Sequence, residues 1–163
     1  YVPIGFLPPS TIASNLVFVV PAANRFHFGI MSSTMHNAWI RYTCGRLKSD
    51  FRYSKDIVYN NFPWPDSPSE STVRRIEEAA QAVLDARAAH PGASLADLYD
   101  PLTMPPDLIK AHRKLDATVD SAYGRKGFAN DAERVAFLFE LYRTCTSLLP
   151  APAAKGPRGR RPG

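Results

Sequence analysis

Cysteine is scarce in this chain, and long apolar runs are missing. Cys44 and Cys145 lie far apart and form neither a CxxC pair nor a Cys/His cluster with zinc-site spacing. They read as two buried, reduced thiols of a cytoplasmic protein. The longest apolar run, Leu16 to Val20, falls far short of the ~20 residues that cross a bilayer, so no membrane partner is expected. No charged-then-apolar leader follows Tyr1. A start at Tyr rather than Met reads as a piece of a longer polypeptide.

Catalytic signatures are missing too. The nine glycines never form a dinucleotide fingerprint or a phosphate-binding loop. The two Pro-Pro sites, Pro8-Pro9 and Pro105-Pro106, follow Leu7 and Met104 and precede Ser10 and Asp107. They therefore lack the Asp/Asn-Pro-Pro-aromatic pattern of amino-group DNA methyltransferases. No acid stands two residues before a lysine, as one half of a common metal-dependent nuclease site requires. His27, His36, His90 and His112 never pair at metal-ligand spacing and read as packing or surface residues. Ser32, Ser33 and Cys44 show no local nucleophile signature. The acid pairs Glu77/Glu78 and Asp116/Asp120 read as solvated helix faces with local ion pairs. No catalytic residue, metal ligand or cofactor site is expected in this segment.

What remains is an ordinary globular balance, 45% hydrophobic and 21% charged residues over 163 positions. The net charge of +5 is unevenly spread. Residues 1–65 carry six Lys and Arg against two acids, residues 66–149 ten against thirteen, and residues 150–163 four against none. A basic head, a mildly acidic body and a basic tail suggest a polyanionic partner.

The head starts with turn punctuation, and Leu16 to Val20 then reads as a buried strand ended by Pro21. Asn24 suits a helix cap. Helical spacing of Ile30, Thr34, Ala38 and Arg41 predicts a helix from about Phe28 that stops at Gly45. Phe51, Tyr53, Ile57, Val58 and Tyr59 punctuate one or two short strands. The Pro-rich run through Pro63, Pro65 and Pro68 predicts a domain boundary. The body reads as three helices. The first carries Val73, Ile76, Ala80 and Val83, and Pro91-Gly92 stops it. The second starts near Pro105-Pro106 and runs to Gly124. The third starts at Asn130, with Glu133 three residues on, and ends at Pro150. The expected class is α+β: mainly helical, with a small β-containing N-terminal part (1–65), a three-helix domain (66–149) and a disordered basic tail (150–163).

One stretch carries chemistry. In an extended segment from Arg46 to Ser54, alternation puts Lys48, Asp50, Arg52 and Ser54 on one face and Leu47, Phe51 and Tyr53 mostly on the other. Such a donor–acceptor–donor comb suits base edges in a major groove, which admits a β-ribbon. A solvated strand face with a local ion pair would look the same.

These residues belong to a larger pattern. It takes in Tyr1 to Leu7, Ile12 to Asn15, Phe28 to Ser33, Gly45 to Leu47, Arg52 to Ser54, and Tyr59, Phe62, Pro63 and Pro65. In the body it adds Leu98 to Pro101, Met104-Pro105 and the helix with Leu115, Asp116, Val119, Asp120 and Tyr123. In this order the pattern resembles the C-terminal part of the MmeI-type (type IIL) restriction–modification enzymes. These join an endonuclease, an S-adenosylmethionine-dependent adenine methyltransferase, a target recognition domain and a helical C-terminal domain in one polypeptide. The resemblance implies that the first 65 residues end the target recognition domain and that 69–149 form the helical domain. It implies double-stranded DNA and an upstream methyltransferase domain as partners. S-adenosylmethionine, and magnesium for cleavage, would belong to the parent polypeptide. By resemblance, Lys48 and Asp50 are a base-reading pair next to the methylated adenine, with Asn15 and Arg52 as further base-contact candidates. Arg41, Arg46 and Lys55 are the candidates for phosphate contact. The expected role is sequence-specific DNA recognition without catalysis; the rival is a helical module that docks another protein surface and does not touch DNA.

Overall fold

A computed structural model describes residues 1–15, 17–47 and 50–147. Among them the chain is mainly helical with one small antiparallel ribbon, as the sequence predicts. The helices are α1 (Arg25–Ser32), α2 (Thr34–Thr43), α3 (Glu70–Ala88), α4 (Leu95–Leu98), α5 (Pro106–Ala122) and α6 (Asp131–Thr146). The ribbon pairs β1 (Gly45–Leu47) with β2 (Asp50–Arg52), and a π-helical turn (Lys55–Tyr59) follows it.

The first helix signal resolves into two helices. Asn24 caps α1 in a reciprocal box with His27. Ser33 then interrupts the chain in extended backbone, with φ −78° and ψ 161°. Its hydroxyl donates to the Ile30 carbonyl at 2.6 Å, and its side chain caps the first turn of α2. The Asn37 amide donates to the Ser33 carbonyl at 2.7 Å, so the break is hydrogen-bonded on both sides. α2 ends at Cys44 in extended backbone, and Gly45 opens β1 instead of closing a helix.

The body helices match their sequence signals. Ser69 caps α3, Pro106 occupies the first turn of α5, and the Asn130 side chain accepts the Glu133 amide at the start of α6. α6 runs only to Thr146; Pro150 and the tail lie outside the described residues.

One hydrophobic core runs across both halves of the chain. Phe28 and Ile30 from α1, Met35, Trp39 and Ile40 from α2, Ile76, Ala80 and Val83 from α3, Leu108 and Leu115 from α5 and Leu138 from α6 share it. α3 packs on α5 and α1, while α2 packs on α6. The body helices therefore bury their stripes on the head as well as on each other.

Three expectations are corrected. Val17, Phe18 and Val19 form no strand and remain 53%, 45% and 48% exposed, and Leu16 lies outside the described residues. A run of β-branched and aromatic residues forms a strand only where a neighbour takes up its backbone hydrogen bonds, and no strand pairs with it among the described residues. Asp116 and Asp120 are not on a solvated face, being 9% and 3% exposed. Asp116 accepts from the Tyr1 hydroxyl at 2.6 Å and the Thr34 amide at 2.7 Å, and Asp120 pairs with Arg134 at 3.1 Å. Only Cys44 of the two cysteines is buried; Cys145 is exposed near the end of α6.

Candidate nucleic-acid interface

The ribbon positions most of the candidate readers. Its register pairs Gly45 with Arg52, Arg46 with Phe51 and Leu47 with Asp50. The chain thus reverses between Leu47 and Asp50, and the single extended comb expected over 46–54 is a hairpin. Lys48 falls between the strands and, with Ser49, lies outside the described residues. Arg46 and Asp50 are strand positions of β1 and β2. Arg52 is exposed at the end of β2.

Ser54 leaves the comb altogether. It caps the π-helical turn, its hydroxyl accepting the Ile57 amide at 3.3 Å. That turn presents Lys55 as its exposed first residue. The Trp39 indole donates to the Val58 carbonyl at 3.0 Å and so fastens the turn to α2.

Asn15 lies outside the hairpin, exposed, and its Oδ1 accepts from the Ser14 hydroxyl at 3.5 Å. The stretch just after it returns to the ribbon: the Phe18 ring sits 5.8 Å from Tyr53 and 5.7 Å from Tyr59. Arg41, one of the phosphate candidates, sits in the last turn of α2. Its guanidinium pairs with Asp131 at the start of α6, across the seam between head and body.

Two residues not singled out as functional in the sequence hold this region together. Tyr53, expected only to back the comb, sends its hydroxyl to within 3.0 Å of Nε2 of His36. His36 is buried in α2, and desolvation pushes its pKa down to about 3, so the ring is neutral. The same burial pushes the Tyr53 phenol up. The alternation could flag Tyr53; nothing in the sequence flags His36.

No group of three His, Cys, Asp or Glu side chains able to hold a metal ion occurs among the described residues. No helix of the described residues is long and apolar enough to cross a membrane.

Comparison with known proteins follows the two halves of the chain. Residues 1–66 match the family model of the MmeI target recognition domain, and residues 68–150 match that of the MmeI C-terminal domain. A DNA methyltransferase A of Bacillus subtilis (strain 168) is 44% identical over 146 residues, which is 90% of this chain and 16% of that protein. The solved structure of the Type IIL restriction-modification enzyme MmeI in complex with DNA aligns with a TM-score of 0.75 at 55% identity. That alignment covers 78% of this chain and 17% of the MmeI chain. This chain thus spans about a sixth of the length of either relative. The chain belongs to the MmeI family of restriction–modification DNA methyltransferases, of which it carries target-recognition and C-terminal domain sequence.

Proposed function

We propose that this segment selects DNA sequence for an adenine methyltransferase of the restriction–modification type, and that it carries out no catalysis of its own. The observation that carries the reading is the β1–β2 ribbon with exposed Phe51 and Arg52, in the basic head of the chain. A two-stranded ribbon fits the major groove, where every base pair shows a distinct donor and acceptor pattern. Lys48 can donate to guanine O6 and N7, and Asp50 can accept from the amino group of the paired cytosine. Arg52 and Asn15 are the further base-reading candidates. Arg46 and Lys55 would contact phosphate and set register. Arg41 is the weakest phosphate candidate, because Asp131 already neutralises it.

Methyl transfer, S-adenosylmethionine binding and any magnesium-dependent cleavage belong, in this reading, to a methyltransferase domain of the parent polypeptide. Base flipping would be that domain's task as well, since a target adenine must leave the stack to be modified.

The experiment is selection from a randomised duplex pool by the purified chain at about 50 mM and 200 mM salt. The expected result is a recovered sequence preference together with affinity that falls steeply as salt rises. Affinity without salt dependence, or no retention of duplex at either salt, would favour the docking module instead.

A further inference from the structure

The base of the hairpin is where the proposed reading element meets the core. β1 is entered from Cys44, which is buried at the end of α2. β2 leaves through Tyr53, which is half-buried. The Gly45–Arg52 pairing brings these two flanking residues to the same end of the ribbon. Above that end, β1 and β2 make their main contacts among the described elements with each other. The orientation of the ribbon is therefore set by what holds its base.

Tyr53 is held by a residue buried in the core. His36 is fully buried, and the ring of Phe62 meets its imidazole edge-on at 4.6 Å between centroids. Its Nε2 lies 3.0 Å from the Tyr53 hydroxyl, while its Nδ1 has no hydrogen-bond partner. The Tyr53 bond is thus the one ring hydrogen bond of His36 among the described residues. Breaking it would leave a buried imidazole with no partner at all, which strongly favours the closed arrangement. Phe18 covers the Tyr53 ring from the neighbouring segment at 5.8 Å. Binding groups must be held within about 0.5 Å and 10–20° of their working geometry, so a fixed base matters to any reading residue the hairpin carries.

We infer that His36 and Tyr53 form a positioning pair: the hydrogen bond between them fixes the angle at which the β1–β2 hairpin meets DNA, and so tunes sequence selectivity without either residue touching a base. The inference rests on the hairpin being the reading element.

The test uses three variants of the chain: Tyr53→Phe, His36→Gln and, as a control on the reading itself, Arg52→Ala. Tyr53→Phe removes one oxygen and keeps the ring. Its hairpin amides (45–52) should exchange about tenfold faster, while those of α2 and α5 keep their protection. In randomised-duplex selection its preference should flatten about tenfold at the positions the hairpin reads. Affinity for non-matching duplex and the salt slope should not change, because no phosphate contact is lost. His36→Gln keeps a polar nitrogen at the Nε2 reach and should leave both readouts near wild type.

Arg52→Ala altering the selected sequence while Tyr53→Phe leaves it intact would overturn the positioning pair and leave the reading standing. A preference flattened equally in Tyr53→Phe and His36→Gln would also overturn it, since the effect would not follow the hydrogen bond. Identical selection by wild type and Arg52→Ala, or no preference in the wild type, would remove the hairpin as reader and the inference with it.

Discussion

Gly29 of α1 lies so close to α3 that a Cβ on it would sit 2.7 Å from Cγ2 of Ile76. Ala80 and Leu115 close the same space at 3.3 and 3.4 Å. Glycine at this helical position sets the distance between the head and the body.

Gly29→Ala therefore meets two opposing effects. Alanine favours a helix by about 0.5–1 kcal/mol over glycine. Against that, the new methyl collides with Cγ2 of a β-branched side chain buried in the core, and overpacking of this kind costs about 1–3 kcal/mol. The collision should win, leaving the variant about 1–2 kcal/mol less stable in urea unfolding. Adding Ile76→Ala removes the colliding methyl, so the double variant should lose less than the sum of the singles. Additive losses would show that α1 and α3 separate without strain.

The periodicity that revealed α3, α5 and α6 could not reveal this packing distance. Apolar residues at helical spacing define a face, and a face is all that local sequence encodes. The same limit explains Asp116 and Asp120. They look solvated because they sit among charges on one helix, yet their partners Tyr1, Thr34 and Arg134 arrive from other segments. Val17 to Val20 form no strand for the converse reason: composition suits one, but among the described residues no neighbouring strand pairs with them. At the candidate site, residues 46–54 were legible as extended and polar. Their reversal was not, because Lys48-Ser49 lacks the Asn-Gly or Asp-Gly signature of a two-residue turn. His36 was read as a packing or surface residue; it packs in the core and also bonds Tyr53.

Acid should unfold this chain through two histidines. Burial pushes both His36 and His112 down to about 3 from an ordinary 6.5, with Arg87 adding to the effect at His112. The folded state holds them neutral while the unfolded chain protonates them. Their stability contribution is complete above pH 6.5 and is lost as pH falls toward 3, by about 1.4 kcal/mol per pH unit for each ring. Asp116 and Asp120 act in the opposite sense. Desolvation raises both above 3.8, so the folded state takes up protons first and gains stability as pH falls through that range. The larger histidine shifts should dominate, giving a loss approaching about 4 kcal/mol between pH 7 and pH 5. His112→Gln should roughly halve that loss in urea titrations at the two pH values; an unchanged loss would show that His112 titrates normally.

Arg87 ties the first residues of the chain to the body. Its Nη1 donates to the Ile4 carbonyl at 2.6 Å, and its Nε donates to the Tyr99 hydroxyl at 2.8 Å. The guanidinium also lies over the rings of Phe28 and Tyr99, at 5.2 and 4.9 Å. A lysine can reproduce the charge but not the planar fork or the stacking. Arg87→Lys should cost about 1–3 kcal/mol and should expose residues 1–7 to protease before the helices open. Simultaneous cleavage throughout the chain would show that the fork carries no local role.

Arg41 offers a choice between two measurable roles. Its pair with Asp131 is partly exposed, and such pairs contribute about 0–1 kcal/mol. Arg41→Ala should therefore change stability by less than about 1 kcal/mol. If the guanidinium remains with Asp131 on DNA, the salt slope of duplex binding stays as in the wild type. A slope smaller by about one unit would instead assign Arg41 to a phosphate.

The sharpest functional prediction concerns Lys48, which follows β1 in sequence, and Asp50, which opens β2. If Lys48 donates to guanine and Asp50 accepts from the paired cytosine, each group discriminates one partner of a single base pair. Lys48→Ala should then cost about 1–3 kcal/mol of discrimination at that pair and leave other positions alone. A phosphate contact behaves differently, weakening all sequences evenly and reducing the salt slope by about one unit. Exchanging the charges, Lys48→Glu with Asp50→Arg, keeps a donor and an acceptor but swaps their places. Binding should survive, and the preferred base on the read strand should change from guanine to cytosine. Sequencing the duplexes selected by the wild type and the double variant measures this directly. Recovery of the same base pair by both proteins would assign the reading of that position to other residues, with Arg52 and Asn15 next in line.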